Sequence, residues 1–135
     1  MTRVLVDSNV LLDIFTEDER WYDWSARALD QAGDAARVVI NPIIYGEISV
    51  RFTRIETLDD VLAAANIHRE PLEFNMAFLA AKAFRAYRTR GGPKRSPLPD
   101  FCIGAHAVVA GYRLLTRDAT LYRTFFPGLQ VIAPG

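Results

Sequence analysis

The chain has 135 residues, half of them hydrophobic, and its 16 basic and 16 acidic side chains cancel to zero net charge. That size and apolar content fit one compact domain able to bury roughly 65–70% of its unfolded surface. The balanced charge excludes a global basic footprint for nucleic acid and leaves only local patches to consider. Cys102 is the single cysteine, which excludes an internal disulfide framework and suits a reducing, cytoplasmic setting. No stretch reaches the roughly 18 apolar residues of a membrane span, and no basic-plus-apolar leader opens the chain.

Val4 to Val6 reads as a short buried strand. Asp7-Ser8-Asn9 then caps a helical turn over Val10 to Phe15. A helix follows from about Trp21 to Ala36, and Arg37 to Ile40 is a second strand. Asn41-Pro42 pairs a capping residue with a first-turn proline, which predicts a helix running to about Arg54. Leu58 to Ala65 is a further short helix with Thr57 as its cap, and Ile67 to Arg69 a short strand. Phe74 to Tyr87 is an Ala-rich helix. Arg90 to Pro99 holds two Gly and three Pro and is a loop. Asp100 to Ala110 is a buried helix, closed by Gly111. Tyr112 to Thr116 is a strand, Asp118 to Phe125 a short helix, and Leu129 to Ile132 the last strand. Strands alternating with helices predict α/β layering on a mainly parallel sheet, with no linker to divide the chain.

Two strands end in acids: Asp7 follows Val4-Leu5-Val6, and Asp118 follows Leu114-Leu115-Thr116 by one residue. Ligands of open α/β sheets gather beyond the carboxyl ends of the strands, so both acids belong on that rim. Either one alone reads more readily as a helix cap. Glu47 falls between the directions of Ile43 and Ile44 on its helix, inside an apolar arc where a carboxylate needs compensation. An ion pair with Arg51 or Arg54 would supply it. Asp100 follows Ser96-Pro97-Leu98-Pro99, whose prolines stiffen its approach. Carboxylates that cluster repel one another and persist mainly around a cation, and hard oxygen donors suit Mg²⁺ or Mn²⁺. Zinc is excluded by the lack of ligand spacing among His68, His106 and Cys102. His106 reads as a satisfied core histidine, and Asp13 as a surface residue.

Asp7 in VLVDSNVLLD, Glu47 in NPIIYGEISVRF, Asp100 in SPLPDFCIGAHAVVAG and Asp118 in RLLTRDATLYRTFFPGLQVIAP together resemble the acidic signature of PIN-domain nucleases. More narrowly, they resemble the VapC-type toxins of toxin–antitoxin modules, over nearly the whole chain from Val4 to Pro134. The resemblance implies a PIN domain over residues 1–135, with an α/β/α fold around a parallel sheet of about five strands. It implies Mg²⁺ or Mn²⁺ held by Asp7, Glu47, Asp100 and Asp118, and endoribonuclease activity on RNA. It also implies a homodimer and neutralisation by a VapB-like antitoxin. Ser8, Asn9 and Thr116 stand where the family places small polar residues that support the acids.

The stretch Phe74 to Pro99 carries Lys82, Arg85, Arg88, Arg90, Lys94 and Arg95 and no acid. Leading directly to Asp100, it is a candidate grip on RNA phosphates, with Arg88, Arg90, Lys94 and Arg95 nearest, or else a solvated face and loop. Asp13 to Asp34 is acidic, and at least one of Trp21 and Trp24 is expected to pack in the core. Other readings compete, among nucleases a PIN-type enzyme of DNA or of RNA processing, which the short chain disfavours. A haloacid-dehalogenase phosphatase needs a second Asp where Asn9 stands, and a receiver domain needs a Lys that TRDATLY lacks. A non-catalytic interaction domain of the same fold is disfavoured by the full set of acids.

Overall fold

A computed structural model describes residues 2–92 and 98–135. Strands β1 (Arg3–Val6), β2 (Arg37–Ile40), β3 (His68–Arg69), β4 (Arg113–Leu115) and β5 (Val131–Ile132) form a parallel sheet in the order β3-β2-β1-β4-β5. The helices are α1 (Ser8–Phe15), α2 (Tyr22–Ala35), α3 (Pro42–Ser49), α4 (Ile55–Ala64), α5 (Phe74–Thr89), α6 (Leu98–Ala110) and α7 (Thr120–Phe125). The chain walks outward from β1 through β2 to β3, then crosses back to β4 and β5. Parallel crossovers keep one hand, so that reversal places successive helices on opposite faces of the sheet. Accordingly α1 packs on α2 and α3, while α5 packs on α6 and α7. The expected α/β/α layering on a five-strand parallel sheet is what forms.

Burial on both faces explains the apolar strands. Leu5 lies between Val39 and Leu114 in register, and all three are fully buried. The outermost strands, β3 and β5, have two residues each, so little unpaired edge backbone is offered for pairing. Among the described residues no helix is long and apolar enough to cross a membrane.

Several boundaries differ from those expected, each for a local reason. Helix α3 stops at Ser49 instead of reaching Arg54. The Ser49 hydroxyl donates to Tyr45 O, and short-range turns (Arg51 N to Ile48 O, Phe52 N to Ser49 O) end the helical ladder. The chain there turns so that the Phe52 ring meets the edge of Phe15 at 5.4 Å. Helix α4 begins at Ile55, so Thr57 lies inside it and Arg54 is at the cap position. Its start is set by the buried face of Leu58 and Leu62. Helix α6 begins at Leu98, with Pro99 in its first turn and Asp100 one position later.

Phe101 organises the packing beside Asp100. The rings of Phe84, Tyr87, Phe125 and Phe126 lie 5.5–6.0 Å from it, which ties α5, α6 and α7 together. Gly104, one turn further along α6, is needed for this approach, because a Cβ there would come within 2.5 Å of the Phe126 ring. Gly104→Ala is therefore expected to lower stability by about 1–3 kcal/mol through overpacking, seen as a melting temperature several degrees lower.

Candidate active site

Strands β1 and β4 are neighbours from which the chain departs in opposite directions across the sheet. That switch point opens a crevice beyond their carboxyl ends. Asp7 stands at the end of β1, only 3% exposed. Its amide donates to Leu115 O at 2.8 Å, so the β1–β4 ladder itself holds the residue at the rim. Its Oδ1 accepts the Ser8 amide at 2.8 Å, and its Oδ2 accepts the hydroxyls of Thr116 and Tyr122, each at 2.9 Å. Burial raises the Asp7 pKa, and these donors pull against that rise.

Glu47 projects from α3 toward the same place. The Ser8 hydroxyl donates to Glu47 Oε1 at 2.8 Å, so Ser8 bridges Asp7 and Glu47 through its backbone and its side chain. Burial raises the Glu47 pKa, with the charge of Asp7 adding to the rise. The alternative reading of Glu47 as half of an arginine ion pair finds no partner among the described residues: Arg54 pairs with Glu56, and Arg51 is exposed. Asp100 is pushed up to about 7, first by burial and then by the charges of Asp7, Glu47 and Asp118. Asp118 is exposed at the mouth, where its Oδ1 accepts the Thr120 amide at 3.2 Å.

The three small polar residues expected to support the acids all touch them or one another. Thr116 Oγ1 has one proton; at 2.9 Å the charged Asp7 Oδ2 takes it in preference to Asp118 O at 3.2 Å. The same oxygen then accepts from Asn9 Nδ2 and from the Asp118 amide, each at 3.2 Å. Asn9 Oδ1 accepts the Arg117 amide at 3.1 Å. Asn9 thereby sets the strand-to-helix turn that carries Asp118.

Asp13, expected at the surface, is 2% exposed. It takes the Arg117 guanidinium through two oxygens, at 2.8 and 3.0 Å, and accepts the Ser25 hydroxyl at 2.8 Å. This hydrogen-bonded pair raises the Arg117 pKa. The guanidinium also lies 5.5 Å from the Trp21 ring centroid, while Trp24 packs against the core. The sequence carried a signal for this: Asn9 and Asp13 are one helical turn apart on α1, so both can reach one residue. Tyr122 is the other residue that sequence reasoning missed. It is 2% exposed, and its phenol pKa is raised by burial and then by the charge of Asp7.

Arg88 and Arg90 lie exposed at the carboxyl end of α5, with the Arg90 guanidinium 5.2 Å from the Phe125 ring. Lys94 and Arg95 lie outside the described residues. His106 is fully buried as expected. Its Nδ1 faces Asn41 Nδ2 at 3.0 Å, but its Nε2 has no hydrogen-bond partner among the described residues, with Glu70 Oε1 at 3.8 Å. Burial lowers the His106 pKa.

The donor set fits a hard cation. The acids offer only oxygen, and the charges of the other three help raise Asp100, a repulsion a divalent ion would relieve. Among the described residues no three acid, His or Cys side chains stand close enough to enclose an ion by themselves. Water would complete the shell of a bound ion.

A parallel α/β sheet with acids gathered at its switch point defines an α/β/α fold with a carboxylate-lined site. The PIN domain family model matches residues 4–126, and the chain belongs to the PIN-domain family, whose members are nucleases. No curated protein matches the chain. Among solved structures, a chain of VapBC2 from Rickettsia felis bound to a DNA fragment from their promoter superposes with a TM-score of 0.75 at 14% identity, covering 99% of this chain and 100% of that one. A chain of a toxin–antitoxin complex from Klebsiella pneumoniae gives 0.68 at 21% identity, covering 98% of each chain. A chain of FitAcB from Neisseria gonorrhoeae gives 0.65 at 20% identity, covering 96% of each. At these identities the likeness is one of fold.

Two outcomes are expected. Asp13→Asn should weaken the Arg117 pair and lower stability by about 2 kcal/mol, read from denaturant unfolding. The second concerns pH. Asp100 titrates at 3.8 when unperturbed and at about 7 in the folded chain, so the folded form binds the proton more tightly. Stability contributed by this group is present below the unfolded value and is lost as pH rises through the folded one. Without metal, the melting temperature should fall between about pH 4 and pH 7 more in the wild type than in Asp100→Asn. Mg²⁺ should restore the wild type at the alkaline end.

Proposed function

We propose that this chain is one PIN domain over residues 1–135, acting as a Mg²⁺- or Mn²⁺-dependent endoribonuclease and as the VapC-type toxin of a toxin–antitoxin module. The observation that carries the proposal is the set of four acids at the β1–β4 switch point, whose charges act together on Asp100. The family membership supports the nuclease chemistry. The similar folds among VapBC and FitAcB structures support the toxin role, with a VapB-like antitoxin as partner in the cytoplasm and a homodimer as the working form.

Asp7 and Asp100 would be the primary metal ligands, with Glu47 and Asp118 completing the set. When bound, the ion lowers the pKa of a coordinated water and offsets charge on the reacting phosphodiester. The chain's own residues do the rest. Ser8, Thr116 and Tyr122 fix the Asp7 carboxylate by three hydrogen bonds, leaving Oδ1 with a lone pair directed away from the Ser8 amide. Asn9 holds Thr116 and the Arg117 turn, and so holds Asp118. Glu47, half-buried, and Asp118, exposed, would either complete the ion's shell, partly through water, or take the proton of the attacking water. Arg88 and Arg90, followed by Lys94 and Arg95, would grip backbone phosphates beside Asp100. Expected products carry a 5′-phosphate and a 3′-hydroxyl.

The test is expression of the chain alone and with its genomic neighbour, with mapping of cleaved RNA ends. Growth arrest is expected from the chain alone, relieved by the neighbour. Asp7→Asn/Asp100→Asn should abolish metal-dependent cleavage while keeping the circular-dichroism spectrum. Near-full cleavage by that folded double variant, or no cleavage of cellular RNA by the wild type, would sink the assignment.

A further inference from the structure

Helix α5 carries a surface that the acid site does not use. Phe74 is 95% exposed and Phe78 is 66% exposed. At about 100° per residue, Phe74, Phe78, Lys82 and Arg85 fall within an arc of about 80°, with Arg88 at its margin. All five are exposed, as are Ala77 and Ala81 beside them, and α5 contains no acid. Single exposed apolar side chains are ordinary, but two phenylalanines one turn apart on an acid-free cationic face are not. Lys82 Nζ already lies 4.9 Å from the Phe78 ring centroid, so a cation sits beside an aromatic face.

The carboxyl end of this helix is locked to the acid site. Tyr87 packs on Phe101, the neighbour of Asp100, at 5.5 Å, and Arg90 lies over Phe125 at 5.2 Å. From Arg88 back to Phe78 is about 15 Å along the helix axis, a length of roughly four stacked nucleotides. A polyanion with flat bases complements such a face. A second copy meeting it about a twofold axis would bring a second cationic face against the first.

We propose that the outer face of α5 is a track for single-stranded RNA leaving the acid site, with Arg88, Arg85 and Lys82 holding phosphates and Phe78 and Phe74 stacking bases. The proposal rests on the nucleic-acid reading of the acid site. It adds residues to that reading that no acid-site chemistry requires.

The test is the affinity of the full chain for a labelled oligoadenylate of about 16 nucleotides, measured by anisotropy in chelator so that nothing is cut. Phe74→Ser/Phe78→Ser should bind about tenfold or more weakly with an unchanged salt slope, and Phe78→Trp should keep wild-type affinity. Lys82→Ser/Arg85→Ser should reduce the salt slope by about 0.7 for each phosphate that is no longer neutralised. Duplex RNA should bind the phenylalanine variant and the wild type alike. The track is overturned if the wild type does not bind the oligoadenylate or if the phenylalanine variant binds it equally well. It is also overturned if that variant merely dissociates an assembly in sedimentation, with its affinity per chain retained. Strong, Phe-dependent binding without cleavage of any RNA in Mg²⁺ would overturn the nuclease reading and leave the track standing.

Discussion

A carboxylate that is 3% exposed is the constraint around which this molecule is arranged. Burying Asp7 without partners would cost far more than the marginal stability of a domain of this size. Its partners therefore come from three parts of the chain: Ser8 at the start of α1, Thr116 beyond β4 and Tyr122 in α7. Only the parallel pairing of β1 with β4 brings the second and third to the first. The same contacts make the site rigid, because each donor is itself placed by secondary structure.

From Asp7 the network spreads in two directions. Through Ser8 it reaches Glu47 on α3, so that the two acids share one small residue, Asp7 its amide and Glu47 its hydroxyl. Through Thr116 and Asn9 it reaches the Arg117 turn, and through Arg117 it reaches Asp13 and Ser25. The cation of that pair is taken by two Asp13 oxygens, and among the described residues no salt bridge reaches Asp7, Glu47, Asp100 or Asp118. Asp100 records the result, since the charges of Asp7, Glu47 and Asp118 all add to the burial that lifts its pKa. An electrostatic imbalance of this kind fits a site that works with a cation and a polyanionic substrate.

The aromatic packing behind the site has a different task. Phe101 and its neighbours join α5, α6 and α7, and they fix the helix turn that presents Asp100. They also fix the end of α5, so that its cationic outer face leads toward the acids. The basic end of α5 and the acids are thus joined, among the described residues, through an apolar cluster.

Local pattern pointed to the alternating elements, the buried strands and the four acids, because hydrophobic period and capping chemistry are written in adjacent residues; the supporting roles of Ser8, Asn9 and Thr116 rested on the family resemblance. Local pattern also showed the cation-rich, acid-free run of α5. Helix ends were less legible: α3 stops early at a side-chain-to-backbone bond and a ring contact with Phe15, a residue far away in sequence. Asp13 looked like any surface acid until the fold set Arg117 and Ser25 against it. Tyr122 looked like one more aromatic of a short helix until its hydroxyl met Asp7, 115 residues away. Strand order, and with it the identity of each buried charge's partner, was decided by the tertiary structure. Pairing across the sheet depends on which strands become neighbours, and no local stretch of sequence carries that information.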